Sequence, residues 1–185
     1  QVTVDGSTYP LPGVFMVIAT QNPIELQGTF PLPEAQLDRF FMRIHIGYPS
    51  IEQEMTILSM QMQDHPIHTL APIASEADLL RLQEAARGVH ISESVKRYIA
   101  ELTSATRTHP QLQLGASPRG SLGLMRAGQA MALLKGADFV DPSVIKTIAK
   151  PVLAHRIIVK PQARLGGMTA EKVLDEVLGT VAVPV

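Results

Sequence analysis

Arg119 falls in the first turn of a segment that Ser117-Pro118 marks as a helix start, with serine as the cap and proline in the first turn. The helix macrodipole already presents positive potential there, so a cation is mildly unfavourable unless an anion sits opposite. A helix start plus an arginine is a good phosphate site. An exposed, solvated arginine, costing a few tenths of a kcal/mol, is the equal alternative.

Asn22 follows the apolar run at residues 14–19 within Ala19-Thr20-Gln21-Asn22-Pro23. Its amide both donates and accepts, so it can orient a water molecule or touch a terminal phosphate oxygen at the carboxyl end of a buried strand. Taken alone, the pattern favours the plainer reading, a strand-ending Asn-Pro turn. Arg39 closes a short helical stretch, Leu32-Pro33-Glu34-Ala35-Gln36-Leu37-Asp38-Arg39-Phe40. A cation is favoured at that end, so on its own Arg39 reads as structural. Glu34 and Asp38 share a helix face and superficially suggest an acid/base pair. Nothing nearby requires two carboxylates, and Glu34 suits the helix dipole, so that pair is set aside.

Gly115-x4-Gly120-Ser121 has the glycine spacing of a phosphate loop, but serine stands at the lysine position, no hydroxyl residue follows it, and a phosphate loop also needs a strand before it, so the string is rejected. The sequence contains no G-x4-G-K-[ST] and no apolar strand ending in Asp-Glu, so a nucleotide-hydrolysing site cannot be complete in this chain. His65 and His68 flank Pro66, which breaks helical pairing, and no cysteine supports a metal site. Met55, Met60 and Met62 at helical spacing read as core packing rather than as a partner groove.

The elements that must position these residues are legible from pattern. Val2-Thr3-Val4, Asp5-Gly6 and Ser7-Thr8-Tyr9 read as a hairpin with a type I′ turn. Residues 14–19 form a continuous apolar run, suited to a strand buried on both faces of a parallel sheet, and residues 41–46 alternate as a second strand. A doubly covered sheet needs more strands than these, and they are expected upstream of Gln1, where the chain opens inside a strand without a leading methionine. This reads as a fragment of a longer protein. After Tyr48-Pro49-Ser50 the pattern turns helical, with Ser50 capping Glu52 to Met62, Ser75 and Asp78 forming a capping box before a stop at Gly88, and helices from Ser92 to Thr108, from Ser117 to about Gly136, from Asp141 to His155, and from about Thr169 to Leu178.

Bulk numbers bound the rest. The 185 residues are 45% hydrophobic, 18% charged and 4% aromatic, with no Trp, an ordinary globular balance whose core must rest on aliphatic residues. A net charge of −1 supplies no field for nucleic acid or acidic membranes. The longest apolar stretch is far too short to span a bilayer, no signal peptide opens the chain, and the lack of cysteine fits a cytoplasmic protein.

Taken in order, several strings resemble the MoxR family of AAA+ ATPases. They are Gln1-Val-Thr-Val-Asp-Gly, Tyr9-Pro-Leu-Pro, Val17-Ile-Ala-Thr-Gln-Asn-Pro-Ile24, Gly28-Thr-Phe-Pro-Leu-Pro-Glu-Ala-Gln-Leu-Asp-Arg-Phe40, Gly47-Tyr-Pro49 and Leu114-Gly-Ala-Ser-Pro-Arg119. The resemblance runs over nearly the whole chain and implies the part of the AAA+ module downstream of the Walker B strand. The implied fold is an α/β remnant of a P-loop core, a β-hairpin plus parallel strands over residues 1–49, followed by an α-helical lid over residues 50–185. It implies that Gln1 to Pro12 is the hairpin before sensor 1, Asn22 the sensor 1 residue, Arg39 an arginine finger reaching a neighbouring subunit's nucleotide, and Arg119 the sensor 2 arginine facing its own. ATP and Mg2+ are then bound mainly by protein outside this chain, which alone would be inactive. The implied active form is a hexameric ring with chaperone-like work on a client, often beside a von Willebrand A-domain partner, in metal-cofactor insertion or complex maturation. A magnesium-chelatase ATPase subunit has a similar architecture, although the Gly28 to Phe40 string favours MoxR. A non-catalytic helical module serving a protein or nucleic-acid partner is the alternative of another class, and the balanced charge argues against nucleic acid.

Overall fold

The computed structural model describes residues 1–21, 32–62 and 65–184. They fall into two units: Gln1–Phe15 with Ile44–Arg81, and Met16–Arg43 with Leu82–Val185. In the first unit, β1 (Val2–Val4) and β2 (Ser7–Tyr9) pair antiparallel with Thr3 opposite Thr8. Asp5 and Gly6 carry φ of 49° and 81°, the two positive angles a type I′ turn demands. Helix α2 (Ile51–Met60) starts from a capping box: the Gln53 N–H donates to Ser50 Oγ, and the Gln53 side chain accepts from the Ser50 N–H. A 3₁₀ turn, Pro66–Thr69, follows. Asp78 and Ser75 form the reciprocal bonds that open α3 (Glu76–Gly88), whose length crosses from the first unit into the second.

The second unit contains the core. Helix α4 (Glu93–Thr108), capped by Ser92, buries Val95, Tyr98, Ile99 and Leu102 on one stripe. Helix α5 (Pro118–Leu134) starts at Ser117 and stops at Gly136, where φ is +72°. Helix α6 (Pro142–Leu153) starts at Asp141, whose carboxylate accepts from the Ser143 N–H, and runs into a 3₁₀ turn, Ala154–Arg156. Two short strands, β3 (Leu112–Leu114) and β4 (Ile158–Val159), pair antiparallel, and α7 (Pro161–Leu165) and α8 (Ala170–Thr180) complete the unit. Leu124, Ile145, Val152 and Val173 are wholly inaccessible. Each contributes roughly 1.5–3 kcal/mol on burial, against about 0–1 kcal/mol for an exposed ion pair, so this aliphatic cluster holds the unit together. Helices α5 and α6 approach closely because Gly120, Gly123 and Gly128 present no Cβ to Leu153, Val152 and Ile145.

Two expectations fail here. Residues 14–19 are not in a strand and are exposed, Ile18 by 78%, and residues 41–46 likewise form no strand, with Ile46 94% exposed. A strand exists only by pairing, and no described segment runs alongside either stretch. The methionines of α2 do not pack into a core: Met55, Met60 and Met62 are 63%, 55% and 83% exposed. The short elements β3, β4 and α7 carry too few residues to announce themselves by periodicity.

Candidate functional site

Helix α1 (Glu34–Leu37) is a single turn without a side-chain cap, too short to hold itself. Its shape is fixed from the other side, by Arg156 and His155 at the end of α6. Arg156 Nε donates to the Val152 carbonyl at 2.8 Å, Nη1 to the Asp38 carbonyl at 2.7 Å and to Asp38 Oδ1 at 3.1 Å, and Nη2 to the carbonyls of Phe40 at 2.6 Å and Phe41 at 3.2 Å. The Arg156 side chain is 3% exposed. Burial pulls its pKa below the usual guanidinium range and the Asp38 charge opposes that pull. With every donor direction used, the ion is tolerated inside the fold. His155 Nε2 reaches the same Phe40 carbonyl at 3.1 Å. Past the junction, the Arg43 N–H donates at 2.8 Å to the Pro151 carbonyl of the last turn of α6, and the Arg43 side chain pairs with Glu171 at 2.9 Å. Residues 38–43 are thus bound to α6 by backbone and side chain together.

Arg119 is placed with equal care. The chain entering α5 lies against α4, where Thr106 Oγ1 accepts from the Ala116 N–H at 2.9 Å and Arg107 Nε donates to the Ala116 carbonyl at 2.9 Å. Gly115 passes so close that a Cβ there would stand 2.5 Å from Arg107 Cα. Ser117 Oγ accepts from the Arg119 N–H at 3.3 Å and donates to the Asp38 carboxylate, 3.1 Å from either oxygen. Arg119 Nη1 then meets Asp38 Oδ2 at 3.3 Å with 57% of its side chain exposed.

The result is one carboxylate, Asp38, taken by three donors from two helix ends, with a half-open guanidinium on its solvent side. Arg39, the next residue, is exposed, and among the described residues its side chain has no hydrogen-bond or ion-pair partner. Arg119 thus lies against Asp38 and stays outside the helical interior, while Arg39 follows Asp38 in the chain with its side chain exposed. Asn22 lies outside the described residues. The Asp38 carboxylate, engaged this fully, is an anchor rather than an acid or base. Chemically, a half-exposed guanidinium at a helix start is suited to meeting an anion. Sequence reasoning missed Arg156 and His155. The available signal was their position inside the apolar run from Val152 to Val159, where a charge survives only with partners.

Comparison with known proteins follows this geometry. A family model described as the ATPase family associated with various cellular activities (AAA) matches residues 1–42, and one described as the AAA lid domain matches residues 104–177. The uncharacterized protein YeaC of Bacillus subtilis is 48% identical over 184 residues, covering 100% of this chain and 58% of its own length. The chaperone MoxR1 of Mycobacterium tuberculosis is 40% identical, covering 99% of this chain and 50% of its own length. The chain belongs to the MoxR-like AAA ATPases.

The fold agrees. A crystal structure from Cytophaga hutchinsonii, of a protein named for an inferred ATPase activity, superposes with a TM-score of 0.89 at 36% identity over 100% of this chain and 58% of that one. The MoxR-like chain accordingly spans between half and three fifths of the length of these relatives. A magnesium-chelatase 38 kDa subunit of Acidiphilium rubrum is a more distant relative at 26% identity. Both matched families map onto parts already described: the AAA match covers the hairpin and the Asp38–Arg39 junction, and the lid match covers α5, α6 and Arg119. Among the described residues, no helix is long and apolar enough to cross a membrane.

Proposed function

We propose that this chain is the sensing and lid portion of an ATP-hydrolysing, chaperone-like remodelling ATPase, with residues 1–49 from the α/β core and residues 50–185 forming the lid. In this reading Asn22 positions the attacking water and reads the γ-phosphate, Arg119 binds the nucleotide of its own subunit, and Arg39 reaches the nucleotide of the neighbour. The observation that carries it is a half-exposed Arg119 held against Asp38 at the start of α5, with the next residue in the chain, Arg39, exposed and its side chain without a partner among the described residues. Phosphoryl transfer depends on positioning and charge neutralisation, which is what two presented guanidiniums supply. The family supports nucleotide binding. In this reading ATP and Mg2+ are held mainly by the phosphate-binding part of the ATPase outside this chain. A finger acting across an interface requires a ring, a hexamer in this proposal, with a client and a von Willebrand A-domain protein as partners and metal-cofactor insertion or complex maturation as the task. Relatives named MoxR at 40% and 31% identity support this reading over the magnesium-chelatase type at 26%.

The test uses the full-length ATPase. Arg39→Ala abolishes most turnover, by roughly 10³-fold or more for a finger acting in trans. Mixing that variant with a subunit defective in its own Walker B carboxylate restores part of the activity, because each supplies what the other lacks. No restoration in mixed rings overturns the assignment of Arg39 to the neighbouring site. The present chain, lacking a phosphate loop, is expected to show no turnover by itself.

A further inference from the structure

Two threonines stand where the apolar stripe of α4 calls for aliphatic residues. The stripe of Val95, Tyr98, Ile99 and Leu102 continues through Thr103 and Thr106, which are 1% and 0% exposed. Valine has nearly the same shape and no hydroxyl to desolvate, so a threonine at such a depth is costly unless its hydroxyl is bonded. Thr106 Oγ1 donates to the Thr103 carbonyl at 2.6 Å and accepts from the Ala116 N–H at 2.9 Å. Arg107 Nε holds the carbonyl of that same residue, Ala116, at 2.9 Å. One turn earlier, Thr103 Oγ1 donates within its own helix, to the carbonyls of Ile99 at 3.1 Å and Ala100 at 3.0 Å. It is left to accept from Ser121 Oγ at 2.9 Å. These bonds fasten the chain on both sides of Arg119, at residue 116 before it and residue 121 after it. None of them is needed to start α5, which Ser117 and Pro118 do locally. What they set is the register of α5 on α4: a slip of one residue, about 1.5 Å along the axis, breaks them all.

We propose that Thr106, together with Thr103 and Arg107, is a positioning residue for nucleotide binding: it fixes the first turn of α5 so that Arg119 meets a phosphate from a backbone already in place. Ordering that turn in advance removes a cost that binding would otherwise carry. The role rests on the assignment of Arg119 to the subunit's own nucleotide.

The experiment is Thr106→Val in the full-length ATPase, with affinity for a slowly hydrolysed ATP analogue measured well below the melting temperature of each variant. Affinity is expected to weaken by about twofold to tenfold, the range of one neutral hydrogen bond. Thr106→Ser keeps the hydroxyl and restores it. In an Arg119→Ala background Thr106→Val weakens affinity no further, because the group it misplaces is gone. A purely structural role lowers the melting temperature in either background and leaves the affinity of the folded protein alone. Unchanged affinity in Thr106→Val, no restoration by Thr106→Ser, or an equal loss in the Arg119→Ala background overturns the positioning role. Should Thr106→Val not fold, Ser121→Ala decides: alanine suits the helix and removes only the bond to Thr103, and the same dependence on Arg119 must appear. If Arg119→Ala alone fails to weaken ATP binding, the underlying assignment is at fault. If it weakens binding and Thr106→Val does not, only the positioning role is.

Discussion

Two cationic-capable side chains share the Phe40 carbonyl, and they share it on different terms. Arg156 brings a charge that Asp38 balances, whereas His155 donates through Nε2 and is left with Nδ1 buried and without a hydrogen-bond partner. Burial holds the His155 pKa below its ordinary 6.5; the Phe40 bond opposes this, and the charges of Arg156 and Arg43 add to it. A second proton would have to enter at Nδ1, where no acceptor waits. The unfolded chain takes up that proton near pH 6.5, while the folded chain resists until lower pH. Stability from this group is therefore complete above about pH 6.5 and is lost as pH falls through the folded value, with a slope of at most about 1.4 kcal/mol per pH unit. His155→Gln retains an amide donor for Phe40 without a titrating ring. Denaturant unfolding between about pH 7.5 and 5.5 should show a shallower loss in the variant than in the parent. Equal slopes would assign the pH dependence to other groups. The place of Arg119 in the first turn of α5 was legible from sequence because Ser117-Pro118 marks that helix start. The Arg156 network was not, because four of its five bonds run to residues 38–41, far away in the chain, and leave no local pattern beyond a charge in an apolar run.

At the scale of elements, the glycines of the Gly115-x4-Gly120 string do a different job from the one their spacing imitates. Gly115 lets the chain cross α4, with Arg107 Cα, Arg107 N and Thr106 C all within 2.7 Å of where a Cβ would stand. Gly120 lets α5 settle on α6 beside Leu153. The spacing was visible in the sequence, but its cause was packing between helices whose mutual placement no single segment encodes. The caps tell the opposite story. Ser50, Ser75, Ser92, Ser117 and Asp141 mark helix starts by local chemistry, and the structure places the helices there. One substitution should therefore give opposite signs at two sites. Gly115→Ala must displace backbone atoms of α4 and is expected to cost about 2–4 kcal/mol. Gly179→Ala, in α8 with nothing within 4 Å of its added methyl, is expected to stabilise by roughly 0.5–1 kcal/mol through helix propensity. Chemical denaturation of both variants checks the pair, and a destabilised Gly179→Ala would mean that α8 has a neighbour on that face.

Across the whole molecule, burial is divided unevenly. Every buried residue among those described lies between Val89 and Val177, and none lies in the preceding 88 positions. The capped helices α4, α5, α6 and α8 with the β3–β4 pair enclose the aliphatic cluster between them. By contrast, Phe15, Met16, Val17 and Ile18 are exposed by 58–78%, and α2 contains no buried residue. The sequence reading placed a buried strand at residues 14–19 because apolar content alone suggests burial, yet burial belongs to layers, and the described chain brings none over that stretch. Cooperative stability should then reside in one part. Residues 75–185 expressed alone, with α3 and its Ser75 cap intact, are expected to unfold in a single thermal transition. The midpoint should be lower than in the longer chain, because Arg156 and His155 exchange the carbonyls of residues 38–41 for water. The shift should shrink on replacing Arg156 with leucine in the short chain, where the guanidinium no longer has a carboxylate opposite it, and the same replacement in the longer chain should cost about 3–5 kcal/mol by stranding Asp38 and two carbonyls. A short chain without a cooperative transition would mean that residues 16–43 are built into the core rather than clamped onto it.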